Sequence, residues 1–391
     1  MSMNETPSGS RVHIGIFGCR NAGKSSLINA LTGQALAVVS DTPGTTTDPV
    51  SKAMELLPLG PVVLIDTPGI DDAGALGDLR TGKTREILRR VELAILAVDG
   101  RRGMTAPDRE LETELQRLEV PYILVFTHGD TVSADVRCPG FWVSSFSGEG
   151  IHELKEKLAH LKTPELSRPL VSDLVSAGDI AVLVVPVDSA APKGRLILPQ
   201  QQVIRELLDH GASALVTGVE GLAEKMEALR TPPGIVITDS QVFGKVAPQV
   251  PPEIAMTSFS ILFARSKGDL PQAVAGARLL KELKAGDKVL ISEGCTHHRQ
   301  CEDIGTVKLP RWIRQFCGED IVFEFSSGTS FPEDLTPYRL VIHCGGCTLN
   351  PREMRYRLKL AAEQGVPMTN YGIAIASIHG ILDRAVKPLG L

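Results

Sequence analysis

Residues Gly18 to Ser25 read GCRNAGKS, which fits G-x-x-x-x-G-K-[ST] between an apolar run, HIGIF, and an amphipathic one, SSLINALTG. In such a turn glycines let successive backbone N–H groups face inward on phosphate oxygens, so Gly18, Asn21, Ala22, Gly23 and Ser26 line a phosphate cradle. Lys24 then reaches the β/γ phosphates, and the Ser25 hydroxyl binds Mg2+. DTPG, Asp66 to Gly69, follows a second apolar run and offers a carboxylate for the Mg2+ shell and a Gly69 N–H for the γ-phosphate. A different chemistry stands near the other end. HCGGC, His343 to Cys347, and CTHHRQC, Cys295 to Cys301, supply Cys295, His297, His343, Cys344 and Cys347 as soft-metal donors. Zinc asks for four tetrahedral ligands, whereas three thiolates with an exchangeable fourth donor suit a 4Fe-4S cluster. Spacing leaves both metals open, and it leaves the choice between Cys295 and Cys301 open too.

The elements that must position these groups are bounded by bulk properties. At 391 residues the chain is long enough for two or three domains of about 100–200 residues each. With 43% hydrophobic and 22% charged residues it has the composition of a soluble globular protein, and a net charge of −5 gives no global reason to expect nucleic acid. The polar start, MSMNETPSGS, and the shortness of the longest apolar run, IAVLVVPV, predict a cytoplasmic chain with no membrane segment. Seven cysteines, an odd number, without a secretion signal argue for metal, redox or core use over a disulfide framework.

Short apolar runs alternate with amphipathic stretches from Val12 to about Lys162: VHIGIF, VVLID, LAILAVD and YILVF. That alternation predicts an α/β fold with a parallel sheet and covering helices. LKTPELSRP reads as a linker, after which DIAVLVVPVD, ASALVTG and GIVITD repeat the strand pattern in a smaller α/β unit. A third segment begins near RSKGDL and holds most of the cysteines. The expected domains are 8–165, 166–265 and 266–391.

GTTTD, Gly44 to Asp48, beside the phosphate turn resembles the switch I of translation-factor-type GTPases of the branch containing TrmE and Era. The resemblance implies Thr46 as the contact to Mg2+ and γ-phosphate, with Thr45 the neighbouring candidate, and Asn21 at a K+ site. Ile70 stands where Ras-like enzymes carry a glutamine, so a monovalent cation would supply the charge that an arginine finger supplies elsewhere. Guanine recognition departs from the branch. Its N-K-x-D is THGD here, Thr127 to Asp130, keeping only the carboxylate of Asp130 for guanine N1 and N2. SSFSGEG resembles the following guanine loop and adds Ser144 and Ser145.

DSAAPKGRLILPQQQVIRELLD, TSFSILFARSKGD, CTHHRQCEDIG and HCGGC, behind such a GTPase domain, resemble the HydF family of FeFe-hydrogenase maturation GTPases over essentially the whole chain. The resemblance implies a P-loop GTPase domain, a smaller α/β dimerisation domain and a C-terminal α/β domain binding a 4Fe-4S cluster. It implies Cys295, Cys344 and Cys347 as cluster thiolates with His297 or His343 near the fourth iron, and it leaves Cys19, Cys301 and Cys317 to structural use. It further implies GTP/GDP, Mg2+ and K+ as cofactors and slow hydrolysis of GTP to GDP and phosphate. A transient diiron subcluster precursor would be carried to apo FeFe-hydrogenase. Radical-SAM maturases are the implied partners, together with a second copy of the chain. The alternative is an RNA-binding or regulatory GTPase with a C-terminal structural zinc module. Against RNA, the third segment has no evident Lys/Arg run interleaved with aromatics, which are 4% of the chain.

Overall fold

A computed structural model of the chain describes residues 9, 11–33, 51–69, 82–161, 168–186, 196–294, 303–328 and 330–391. Thr45, Thr46, Cys295, His297 and Cys301 lie outside the described residues. Two compact units divide the chain, Met1–Leu166 and Ser167–Leu391. No described helix is long and apolar enough to cross a membrane.

The first unit holds one six-stranded sheet built from β1 (Val12–Phe17), β2 (Ser51–Leu56), β3 (Gly60–Asp66), β4 (Leu93–Asp99), β5 (Tyr122–Thr127) and β6 (Phe141–Trp142), in the order β2-β3-β1-β4-β5-β6. Runs such as LAILAVD are buried on both faces, so β3, β1, β4 and β5 pair in parallel and are covered on each side by apolar clusters. The sequence reading did not anticipate β2. It pairs antiparallel to β3 at the edge, and its SKAMEL buries only alternate side chains, a weaker signal than a continuous apolar run. β1 and β3 end side by side at the phosphate turn and at Asp66, so parallel pairing brings the two motifs together.

The second unit carries two four-stranded parallel sheets. One is built from β7 (Ile180–Val184), β8 (Ser213–Thr217), β9 (Ile235–Thr238) and β10 (Met256–Ser258), in the order β10-β9-β7-β8. The other comprises β11 (Lys288–Glu293), β12 (Val322–Ser327), β13 (Leu340–His343) and β14 (Met368–Asn370), in the order β12-β11-β13-β14. One apolar cluster takes Val182 and Val236 from the first sheet, Val289 and Ile342 from the second, and Ile261 and Ile373 from helices between and beyond them. The middle and last segments therefore share a core.

Two helices frame the cysteine loop, and both have clear start signals. Ser258 Oγ accepts the N–H of Ile261 and opens the helix Phe259–Lys267. Asn350 Oδ1 accepts the N–H of Glu353 at 3.0 Å, with Pro351 in the first turn, and opens the helix Pro351–Glu363.

Candidate functional site

The phosphate turn closes on itself. Lys24 Nζ donates to the carbonyls of Gly18 and Cys19 at 3.0 and 2.9 Å, where it spans the cradle. Gly18 is required by contact, since a Cβ there would strike the Ala97 carbonyl oxygen. Asn21 holds a left-handed φ of 60°, and Gly23 caps the helix Lys24–Thr32 at φ 78°. That helix directs its N-terminal amides, Ser25 and Ser26 among them, toward the turn, an arrangement suited to phosphate. Ser25 Oγ donates to Asp66 Oδ2 at 2.6 Å. Asp66 Oδ1 is buried without a hydrogen-bond partner among the described residues, and burial raises the carboxyl's pKa despite Ser25, Lys24 and Lys52. An orphaned carboxylate oxygen beside a serine hydroxyl is a donor set that fits Mg2+. Gly69 lies where an added Cβ would come within 2.7 Å of Arg20 Cα and 3.1 Å of Lys24 Nζ, so it borders the same space.

At the far side of the turn, THGD keeps more of the guanine loop than its letters suggest. Thr127 Oγ1 lies 3.0 Å from the Ala22 carbonyl and 3.1 Å from that of Val98, tying β5 to the phosphate turn. His128, at φ 58°, stands beside Gly23 and reaches Asp99 Oδ1 with Nδ1 at 3.5 Å. Asp130 is exposed. Ser144 Oγ donates to its Oδ1 at 2.6 Å, and that bond holds its carboxyl below the ordinary range. Ser144 Oγ also accepts the N–H groups of Phe146 and Ser147, ordering the loop that contains Ser145. Cys19 is structural here: its Sγ donates to Asp108 Oδ1 at 3.1 Å.

In the second unit the ends of β11 and β13 form the other site. Ser292 pairs with His343, and the Cys344 N–H donates to the Ser292 carbonyl at 2.8 Å. Cys344 Sγ receives two backbone N–H groups, from Gly294 at 3.1 Å and Gly346 at 3.4 Å. Thr348 Oγ1 donates back to the Gly294 carbonyl at 3.0 Å, and the next residue in the chain after Gly294 is Cys295. Amides aimed at a sulfur favour thiolate, the form that binds iron or zinc. Cys347 is half-buried; burial pushes its thiol up while the Lys267 ammonium pulls it down. The described donors fit a thiolate-held metal group, although no group of three or more His, Cys, Asp or Glu side chains comes together as a metal site among the described residues.

His343 is fully buried, with both ring nitrogens engaged. Nε2 lies 2.9 Å from Arg357 Nη1, and a guanidinium can only donate, so Nε2 accepts and Nδ1 carries the proton to the Cys344 carbonyl at 2.7 Å. Burial, with Arg357 adding to it, depresses the His343 pKa to about 3. Arg357 is itself fully buried, bonded to Glu353 Oε1 at 2.9 Å and to the Gly328 carbonyl at 2.8 Å, and stacked over Phe331. Cys317 ends the helix Leu309–Cys317, with its sulfur near the Arg314 and Glu319 carbonyls. Sequence reading gave no role to Lys267, Glu353 or Arg357. A charged residue inside a buried helix face is the one signal that could have marked them.

The parallel sheet, the phosphate turn and the Ser25–Asp66 pair define a P-loop GTPase domain followed by a two-sheet α/β unit. Residues 13–128 match the family model of the 50S ribosome-binding GTPase, 170–268 the hydrogen maturase F dimerization domain, and 271–388 the hydrogen maturase F tetramerization domain. The chain belongs to the hydrogen maturase F family. Among curated proteins it is 33% identical over 159 residues to the tRNA modification GTPase MnmE of Nitrosomonas europaea, covering 39% of this chain and 34% of that protein. It is 30% identical over 186 residues to the GTPase Der of Vibrio parahaemolyticus, covering 43% and 37%. The chain spans about a third of the length of these relatives. Among solved structures, the cytosolic domain of the T. maritima FeoB iron transporter aligns with 25% identity and a TM-score of 0.30, over 42% of this chain and 71% of that one.

Proposed function

We propose that this chain is a GTP-hydrolysing scaffold of FeFe-hydrogenase maturation that holds a 4Fe-4S cluster and carries the diiron subcluster precursor to apo-hydrogenase. The observation that carries the reading is the Cys344 sulfur, cradled by two amides at the end of β13 beside the end of β11, in a chain that also owns a phosphate turn. In the first unit Lys24 exchanges its two loop carbonyls for β/γ-phosphate oxygens. Ser25, Asp66 and Thr46 hold Mg2+, and Asp130 with Ser144 and Ser145 reads guanine. K+ at Asn21 stands in for the missing glutamine; equal turnover in potassium and sodium at one ionic strength would remove that role. Loss of the γ-phosphate releases Thr46 and Gly69, which makes hydrolysis a switch for partner exchange.

Cys295, Cys344 and Cys347 are the proposed cluster thiolates. Of the two histidines offered for the exchangeable iron, the occupied ring of His343 favours His297. The radical-SAM maturases and the apo-hydrogenase are the proposed partners, in the cytoplasm, with the family's dimerisation and tetramerisation domains building an oligomer of the chain. Anaerobic reconstitution of single Ala variants at the five donors, counting iron, sulfide and zinc, tests the site. The three cysteine variants are expected to lose the cluster, and His297→Ala to keep most of its iron with an altered paramagnetic spectrum. Zinc in place of iron and sulfide would replace the carrier reading with a structural zinc module.

A further inference from the structure

Lys267 is the last residue of the helix Phe259–Lys267 and is only 7% exposed. Its Nζ lies 3.2 Å from the carbonyl of Gly346, 3.3 Å from that of Cys347 and 2.8 Å from that of Leu349. The same ammonium stands over the Phe263 ring at 5.2 Å. Three carbonyl dipoles pointing at one place repel one another, and a buried cation with three N–H donors is the group that reconciles them.

We propose that Lys267 is the positioning residue of the cysteine loop: it folds the Gly346–Leu349 carbonyls inward, so that Gly346 N–H is held on Cys344 Sγ, and it sets a fixed positive charge behind the thiolates. The geometry selects lysine. A tetrahedral ammonium meets three converging carbonyls, whereas the planar fork of arginine does not. Gly346 adopts the left-handed φ of 62° that the inward turn needs. The positioning half of this inference stands on the loop alone, and the charge half rests on the cluster reading above.

Two readouts test it. In metal-free protein, iodoacetamide alkylation of Cys344 and Cys347, followed by mass spectrometry, reports how firmly the loop is held. Compared at the high-pH plateau of the rate, where both thiols are fully ionised and the ammonium's pull on their ionisation drops out, Lys267→Met is expected to speed alkylation at least fivefold. Lys267→Arg, which keeps the charge but not the geometry, should speed it by a smaller factor. In reconstituted protein, the cluster's midpoint potential should fall in Lys267→Met and stay near wild type in Lys267→Arg, because removing a nearby cation disfavours the reduced, more negative cluster. Should Lys267→Met fail to fold by circular dichroism, the alkylation rate of Lys267→Arg decides the positioning role. Wild-type alkylation rates in the folded variants would overturn that role. A wild-type potential in folded Lys267→Met would overturn the charge role. A wild-type protein that takes up no iron defeats the cluster reading and with it the charge role, while alkylation still decides the positioning.

Discussion

Asp66 carries a conflict that belongs to a single residue. Its Oδ2 is satisfied by Ser25, its Oδ1 is orphaned among the described residues, and burial raises its pKa. A carboxyl whose folded pKa lies above its unfolded one binds more protons folded than unfolded, so its cost to stability is absent in acid and grows as pH rises through the folded pKa. Without nucleotide or metal, that cost is fully present once the pH is above the folded pKa. Asp66→Asn is therefore expected to stabilise the metal-free protein at pH 7, an advantage that shrinks as pH falls through the raised folded pKa and is gone in acid below the unfolded pKa. The same substitution should lower Mg2+-dependent GTP hydrolysis by roughly 100-fold, since the ion loses its carboxylate. Paired thermal melts across pH and a phosphate-release assay check both, and a metal-free Asp66→Asn protein less stable than wild type at pH 7 would contradict the account. Asp66 was legible in the sequence because DTPG has a fixed place after its strand. Thr127 was not. Its tie to Ala22 depends on the register of β5 beside the phosphate turn, which no local pattern encodes.

At the scale of elements, both sites sit where central parallel strands end. Parallel pairing aligns strand ends on one edge, and the loops leaving that edge are free of ladder hydrogen bonds and open to ligands. The phosphate turn follows β1 with DTPG after β3, and HCGGC follows β13 with the Cys295 segment after β11. The spacing of HCGGC was readable, but the fate of its histidine was not. Arg357 and Glu353 come from the later helix Pro351–Glu363, and only folding brings them onto His343. The glycines in this loop do different work. Gly346 has φ 62°, and an added Cβ would lie 2.7 Å from Met354 Sδ. Gly345 has no such φ, and its nearest neighbour would be Ser260 Oγ at 3.6 Å. Gly346→Ala is thus expected to cost about 1–2 kcal/mol in left-handed strain alone and, on the proposed cluster reading, to weaken iron retention, whereas Gly345→Ala stays close to wild type. Chemical denaturation followed by iron counts separates them, and equal behaviour of the two variants would deny the loop its required turn.

For the whole molecule, LKTPELSRP breaks the alternation of strands and helices in the sequence, and the chain divides into the compact units Met1–Leu166 and Ser167–Leu391. The sharing of a core between the middle and last segments stayed hidden, since strand patterns report that a face is buried and not what covers it. Val182 and Ile342, far apart in the chain, belong to one cluster only because the helices between and beyond the two sheets bridge them. This shared core bears on function. The cysteine loop is braced by Lys267, at the end of the helix Phe259–Lys267 that leads out of the middle segment, so on the proposed cluster reading metal retention should follow the stability of the second unit as a whole. The nucleotide site belongs to the other compact unit, with its own sheet and its own apolar clusters. Lys24→Ala removes the ammonium that holds the phosphates and is expected to lower hydrolysis by about 100-fold or more. Lys24 belongs to the first unit and the cysteine loop to the second, so on the proposed cluster reading reconstituted iron and sulfide should equal the wild-type counts. Parallel GTPase and iron assays on one preparation test this, and a large iron deficit in a folded Lys24→Ala protein would mean that the phosphate turn governs the cysteine loop directly, contrary to the two-unit architecture.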